Sequence, residues 1–317
     1  MKKYSIALLL FTVLSVFSSS VFATTVLVGN PTGNEVLSYD VMNGVWTLNG
    51  TFADATNAGG NGFTAPRGIA TDGSNVYIAT SSNILRYDTN GNYIGSVLTV
   101  SGADGLAVDS SGNLYYTVAF GGGATQGLYS ITDPTGSATN SILVADSVVL
   151  RVIDFGGNGN IFVAERSAGV VTEYQTNGTL VGTFLSGVPY AQALSWDENN
   201  NRFLIGYSSD NDGFKVDIGA ISTSGTLSAV YDYQSGDASK FRTNLGVLNI
   251  AGEVYGSSIG SPANAIAEVN GTTSATTVVS GVTAGYMAEV AIPEPGTVAL
   301  LFGTAVLALT FWRRRAK

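Results

Sequence analysis

Six polar residues stand at matching places in a recurring pattern, each directly before a short apolar segment: Arg67, Asp104, Arg151, Gln192, Asn244 and Tyr286. Two guanidinium groups, a carboxylate, two amides and a phenol brought to one place suit recognition of a carboxylate or of sugar hydroxyls. The same groups also suit a closed network that bonds to itself and to water around a wet channel. What the chain lacks narrows the chemistry further. It contains no histidine and no cysteine. Ser-His-Asp and Cys-His catalysis, histidine-ligated metals and zinc-thiolate centres are therefore excluded, together with the usual general base at neutral pH.

Other candidates are weaker. Glu165 and Glu173 flank a hairpin at strand spacing and read as surface residues, since paired carboxylates act in hydrolysis only at a defined separation. Gly121-Gly122-Gly123 and Gly156-Gly157-Asn158-Gly159 match no phosphate-loop pattern and precede no expected helix, so they read as turns. Ser209-Asp210-Asn211-Asp212-Gly213 offers oxygen ligands and a glycine but lacks the distal bidentate glutamate of a calcium loop. No cofactor or metal is expected, and calcium is the one ion for which the sequence holds any candidate.

These side chains need a framework, and the chain supplies one by repetition. The unit PRGIATDGSNVYIATSSNILRYDTNGNYIGSVLT, Pro66 to Thr99, parses into strands over Gly68 to Thr71, Val76 to Ala79, Ile84 to Tyr87 and Tyr93 to Leu98. Asp-Gly-Ser-Asn and Asp-Thr-Asn-Gly-Asn supply turns between them. Four further units repeat the order, with Asp72, Asp109, Gly156, Asp197 and Asn249 ending the first strand at intervals of 37, 47, 41 and 52 residues. Asp72, Asp109 and Asp197 read as caps of the first hairpin, bonding backbone amides two residues on. Four-stranded units of this length are expected to form propeller blades.

The segment after Ala23 contains three strands matching the second to fourth of a blade, and Gly285 to Ala291 matches a lone first strand. Joined, the two ends complete a sixth blade and remove exposed sheet edges. The expected fold is all-β, a six-bladed propeller over 24–291 closed by the N- and C-terminal strands.

The unit P-x-G-I-A-x-D-x-x-G-N-x-Y-I-A, followed by a strand ending in Tyr-Asp, resembles the NHL repeat and its relatives among YVTN-type and gluconolactonase-like propellers. That resemblance specifies fold far better than function. Gluconolactonase-like propellers carry a central divalent metal held by Glu, Asn and Asp. Here Gly29-Asn30-Pro31 offers no glutamate at the corresponding place, and the histidine-bound zinc of NHL-type lyases has no ligand.

The ends of the chain carry addresses. Lys2 and Lys3, an apolar run from Ile6 to Phe17 and small residues up to Ala23 have the order of a secretory signal peptide, 1–23. At the other end, Thr297 to Trp312 is sixteen uncharged residues, followed by Arg313, Arg314 and Arg315. That is a short transmembrane helix with its basic end in the cytoplasm. Pro293-Glu294-Pro295 precedes it in a stretch that two prolines keep extended. Over 292–317 this arrangement resembles the PEP-CTERM sorting signal. The resemblance implies an exosortase as processing partner, export through the Sec translocase, transient residence in the inner membrane of a Gram-negative bacterium, and a destination at the cell surface or matrix near exopolysaccharide and biofilm machinery.

Without these ends the body keeps eight Lys and Arg against twenty-two Asp and Glu, a net charge of −14. Such a surface repels phosphate backbones, so nucleic acid is not an expected partner. Two readings follow: a non-catalytic binding or scaffold propeller with a polysaccharide or surface-protein ligand, or a metal-dependent propeller enzyme, lactonase-like or polysaccharide-active. The absent histidine, cysteine and metal ligands favour the first.

Overall fold

The computed structural model describes residues 23–119, 124–146, 149–208, 217–232, 246–258, 264–272 and 274–290. Asn244, Gly121 to Gly123, Ser209 to Gly213, the leader up to residue 22 and the whole tail from 291 lie outside the described residues.

Among the described residues, twenty-four strands form six four-stranded antiparallel sheets. The chain opens with β1 (Thr24–Asn30), β2 (Glu35–Met42) and β3 (Val45–Ala53). Blade 1 is β4 (Ile69–Thr71), β5 (Asn75–Ala79), β6 (Asn83–Asp88) and β7 (Tyr93–Thr99). Blade 2 is β8 (Ala103–Val108), β9 (Leu114–Val118), β10 (Gly127–Thr132) and β11 (Thr139–Ala145). Blade 3 is β12 (Leu150–Phe155), β13 (Ile161–Glu165), β14 (Val170–Tyr174) and β15 (Leu180–Ser186). Blade 4 is β16 (Ala193–Asp197), β17 (Arg202–Tyr207), β18 (Asp217–Ser222) and β19 (Leu227–Tyr231). Blade 5 is β20 (Val247–Ile250), β21 (Glu253–Ser258), β22 (Ala265–Val269) and β23 (Ala275–Ser280). The last strand, β24 (Met287–Val290), joins β1 in the order β24-β1-β2-β3, so the closure blade is built from both ends of the domain.

The apolar residues explain the arrangement. Second strands such as β9 and β13 are buried along their whole length, whereas outer strands such as β7 and β11 contain no fully buried residue. A strand covered on both faces reads as a continuous apolar run, and Leu-Tyr-Tyr-Thr-Val of β9 and Ile-Phe-Val-Ala-Glu of β13 do so. Six core clusters result, each shared by two neighbouring blades. Leu27 and Val36 of the closure blade, for example, pack with Ile69, Ile78 and Leu85 of blade 1. Every blade also shifts register between its third and fourth strands, a bulge that twists the outer edge away from further pairing.

The turns follow the expected chemistry in part. Asp72 Oδ1 accepts the amides of Ser74 at 2.8 Å and Asn75 at 2.7 Å, and Asp109 Oδ1 accepts those of Ser111 and Asn113. Asp197 instead caps a 3-10 turn, Glu198–Asn200, and ties together Arg202 and Asn249 of blade 5. Glu165 departs from the reading as a surface residue. It is buried, accepts the Thr172 hydroxyl, and burial pushes its carboxyl above the usual range. The cause is that β13 is an interior strand to its last residue.

Candidate functional site

The first strand of each blade faces one central channel of about 270 Å³. In three blades these strands approach so closely at one level that only glycine fits. A Cβ on Gly68 would stand 2.3 Å from the Asp104 carbonyl oxygen, and one on Gly105 would stand 2.8 Å from that of Arg151. Neighbouring strands are linked there directly. The Gly68 amide donates to the Asp104 carbonyl at 2.7 Å, and the Thr117 hydroxyl accepts from the Gly105 amide while donating to the Arg151 carbonyl.

One residue before this level stand Arg67, Asp104, Arg151 and Gln192. The structure gathers three of them with Tyr286 into a single cluster around Asp104, which is fully buried. Arg67 Nη1 lies 3.5 Å from Asp104 Oδ1 and Arg151 Nε lies 3.4 Å from Oδ2. The Tyr286 hydroxyl donates to Oδ1 at 2.5 Å. Burial first, then the Asp104 charge, drives the Tyr286 phenol far above its ordinary value, so it remains a donor. Gln192 is buried at the equivalent place in blade 4, its backbone N–H donating to the Gly206 carbonyl, and Asn244 lies outside the described residues.

The register corrects one part of the alignment. Gln192 and Gly285 occupy matching positions, because their amides bond Gly206 and Gly29 in the same way. Tyr286 therefore sits one residue further in, at the level of Gly68, Gly105 and Gly246. Asn249 likewise pairs with Val254 as Val108 pairs with Leu114, which places it one residue before the strand end, at Ile250. Where blades 1, 2 and 5 carry glycine, and blades 3 and 4 carry Val152 and Ala193, the closure blade carries a tyrosine. Its ring packs with Val152 and Leu194 of blades 3 and 4, and its hydroxyl reaches blade 2, so the side chain spans the channel.

Arg166, which the repeat alignment does not single out, adds a third guanidinium. It lies over the Tyr190 ring at 5.3 Å, and burial together with the Arg151 charge holds it below its ordinary pKa. This end of the channel thus concentrates three of the body's eight basic residues around one carboxylate.

Deeper in the channel the sequence reading missed Asp154. Matching positions in the other blades are Ala70, Ala107, Ser195, Leu248 and Ala288, so a lone acid within an inner strand was the signal. Its Oδ2 accepts the backbone amide of Trp196 in blade 4 at 2.7 Å, and its Oδ1 accepts that of Phe155. Enclosure by protein pushes its carboxyl up to about 6. Glu289 also lines the channel, with its carboxyl raised by burial. Among the described residues no three acidic side chains converge closely enough to hold a metal ion.

Comparison with known proteins bears on the tail and on the fold. Residues 291–315 match the PEP-CTERM protein-sorting motif. The match implies export to the cell surface, with an exosortase as the processing partner. No curated protein matches the chain in sequence. Among solved structures, TolB from Acinetobacter baumannii superposes with a TM-score of 0.61 at 9% identity, covering 89% of this chain and 70% of that one. A protein of unknown function from Bacteroides caccae gives 0.59 at 11% identity, covering 85% and 99%. A chain of a nidogen/laminin complex gives 0.57 at 11% identity, covering 84% and 98%. At these identities the likeness concerns the fold. No helix among the described residues is long and apolar enough to cross a membrane.

Proposed function

We propose that this exported, exosortase-processed propeller is a non-catalytic binding or scaffold protein of the cell surface or extracellular matrix, associated with exopolysaccharide and biofilm. In this reading residues 1–23 are the signal peptide that engages the Sec translocase. Residues 297–312 hold the chain briefly in the inner membrane of a Gram-negative cell, with Arg313, Arg314 and Arg315 on the cytoplasmic side. Pro293, Glu294 and Pro295 present the processing site, and the body from 24 to 291 is released to the surface.

The observation that carries the non-catalytic reading is the engagement of Asp104. A general base needs a lone pair within reach of a substrate proton. This carboxylate is fully buried: Oδ1 accepts the Tyr286 hydroxyl and faces Arg67, and Oδ2, which accepts no hydrogen bond among the described residues, faces Arg151 Nε at 3.4 Å and is closed off from a substrate. The group acts as a counter-charge holding blades 1, 2, 3 and the closure blade together. The excess of positive charge around it, with Arg67 about one-third exposed, suits a carboxylate on a surface polysaccharide or protein.

Fractionation of the producing cells tests this reading. The mature protein is expected to travel with the exopolysaccharide fraction and to leave it when salt screens the Arg67 and Arg166 charges. A stoichiometric divalent ion found by elemental analysis, with turnover of a lactone or polysaccharide, would establish the enzymatic reading instead.

A further inference from the structure

A second cavity, of about 280 Å³, opens between blades 3 and 4 away from the Asp104 cluster. Its floor is aromatic. Phe162 and Phe203 are buried and lie 4.6 Å apart between ring centres, Phe184 packs on Phe162 at 4.7 Å, and Trp196 packs on Phe203 at 4.8 Å. Phe184 and Trp196 are half-buried, so their rings contribute open surface. The rings meet edge-on or tilted, at 50–72° to one another, and together give an apolar patch on a strongly acidic protein.

The rim is polar and uncharged apart from one acid. Asn158, Glu173, Asn201 and Thr223 surround the opening. Glu173 is oriented, because its Oε1 accepts the side-chain amides of Asn158 at 2.9 Å and Asn160 at 2.6 Å. Among the described residues no lysine or arginine lines the cavity. Close packing holds the floor open: a Cβ on Gly157 would stand 2.8 Å from the Trp196 indole, so glycine lets the turn lie flat beside the ring. From the channel side, Asp154 fixes the backbone of Trp196.

We propose that this cavity is a binding subsite for one neutral pyranose ring. A pyranose has an apolar C–H face and a rim of hydroxyls that both donate and accept. The rings match the first, and the amides, carboxylate and hydroxyl match the second. The size is at the lower end of small-molecule sites, about 300 Å³, which fits one sugar residue rather than a chain segment. Glu173 repels a uronate at this position, so the ligand is uncharged. The same carboxylate already serves two amides, which makes the site a poorer cage for an organic cation than its rings alone suggest.

The proposal deepens the reading of the protein as a polysaccharide binder and rests on it for the source of the sugar. The test is titration of the full chain, followed by tryptophan fluorescence and calorimetry, with neutral hexose oligosaccharides, uronate-containing oligosaccharides and tetramethylammonium. At this subsite, read as the fluorescence change that the Trp196→Ala variant lacks, neutral oligosaccharides are expected to bind, uronates about tenfold more weakly or worse, and Glu173→Gln is expected to lose about tenfold in affinity while narrowing that discrimination; uronate binding seen by calorimetry alone belongs to the Arg67 end of the channel. Trp196→Ala is expected to abolish binding, and Glu173→Gln keeps the test open if that variant fails to fold. Equal binding by wild type and variants, binding of tetramethylammonium alone, or no binding of any neutral sugar would overturn the subsite. In each of those cases wild-type protein still travelling with the exopolysaccharide fraction leaves the wider reading intact. Loss of that association in the wild type overturns the wider reading whatever the titration gives.

Discussion

Tyr286 and Asp104, 182 residues apart in sequence, meet at 2.5 Å across the central channel and join the closure blade to blade 2. The contact is fully buried, and it depends on both chain ends having found each other. Tyr286→Phe removes one donor to a buried carboxylate and is expected to cost about 1–3 kcal/mol of stability. Asp104→Ala leaves Arg67 and Arg151 without their counter-charge and is expected to cost about 3–5 kcal/mol. Urea denaturation midpoints order the two variants, and an Asp104→Ala protein as stable as wild type would remove the cluster from the account.

The close approach of the inner strands gives a second expectation. Gly105→Ala places a methyl group 2.8 Å from the Arg151 carbonyl, against backbone that has little room to move. A loss of about 1–3 kcal/mol is expected. Gly95 on the outer strand β7 has open space around its Cβ position, and its alanine variant should unfold at or above the wild-type temperature. Calorimetry of the pair separates packing at the axis from the general effect of losing glycine.

Asp154 carries a pH signature. Its folded pKa, about 6, lies above the unfolded value of about 3.9, so the native state holds the proton more tightly. Stability from this group therefore falls as pH rises from about 4 through about 6. Asp154→Asn keeps an oxygen to accept the Trp196 amide but does not ionise. The melting temperature of the variant relative to wild type is expected to rise across that window and level off above it. A constant difference at all pH values would mean that Asp154 is not held in the enclosed setting described.

Asp72 behaves in the opposite sense. Burial raises its carboxyl, but hydrogen bonds from Asn75, Ser74 and Tyr77 outweigh this and hold it below the usual range. Its contribution is present at neutral pH and lost as pH falls through the folded value. Asp72→Ala is expected to cost about 1–3 kcal/mol at pH 7 and progressively less in acid, which chemical denaturation at a series of pH values would follow.

Much of this architecture was visible in the residues. Asp72 and Asp109 mark the first hairpin of their blades because the Asx turn needs that side chain, so repeat and turn coincide. The fifth unit has no such aspartate, and the alignment slid by one residue at Asn249 and again at Tyr286. Strand register is set by cross-strand pairing that short, weakly patterned strands do not encode locally. Glu165 was misplaced for a related reason: whether the last residue of a second strand faces solvent depends on the neighbouring blade. The gathering of Arg67, Arg151 and Tyr286 on Asp104 required the closure of the ring, and the aromatic cavity required two blades side by side. Neither arises within one repeat.

The most direct test of the central claim is the intact mass of the protein recovered from the cell surface. The account predicts a chain beginning at Thr24 and ending upstream of the Arg313 to Arg315 cluster, with the propeller strands from Thr24 to Val290 retained. A surface protein whose mass still includes the terminal Arg-Arg-Arg-Ala-Lys would contradict it.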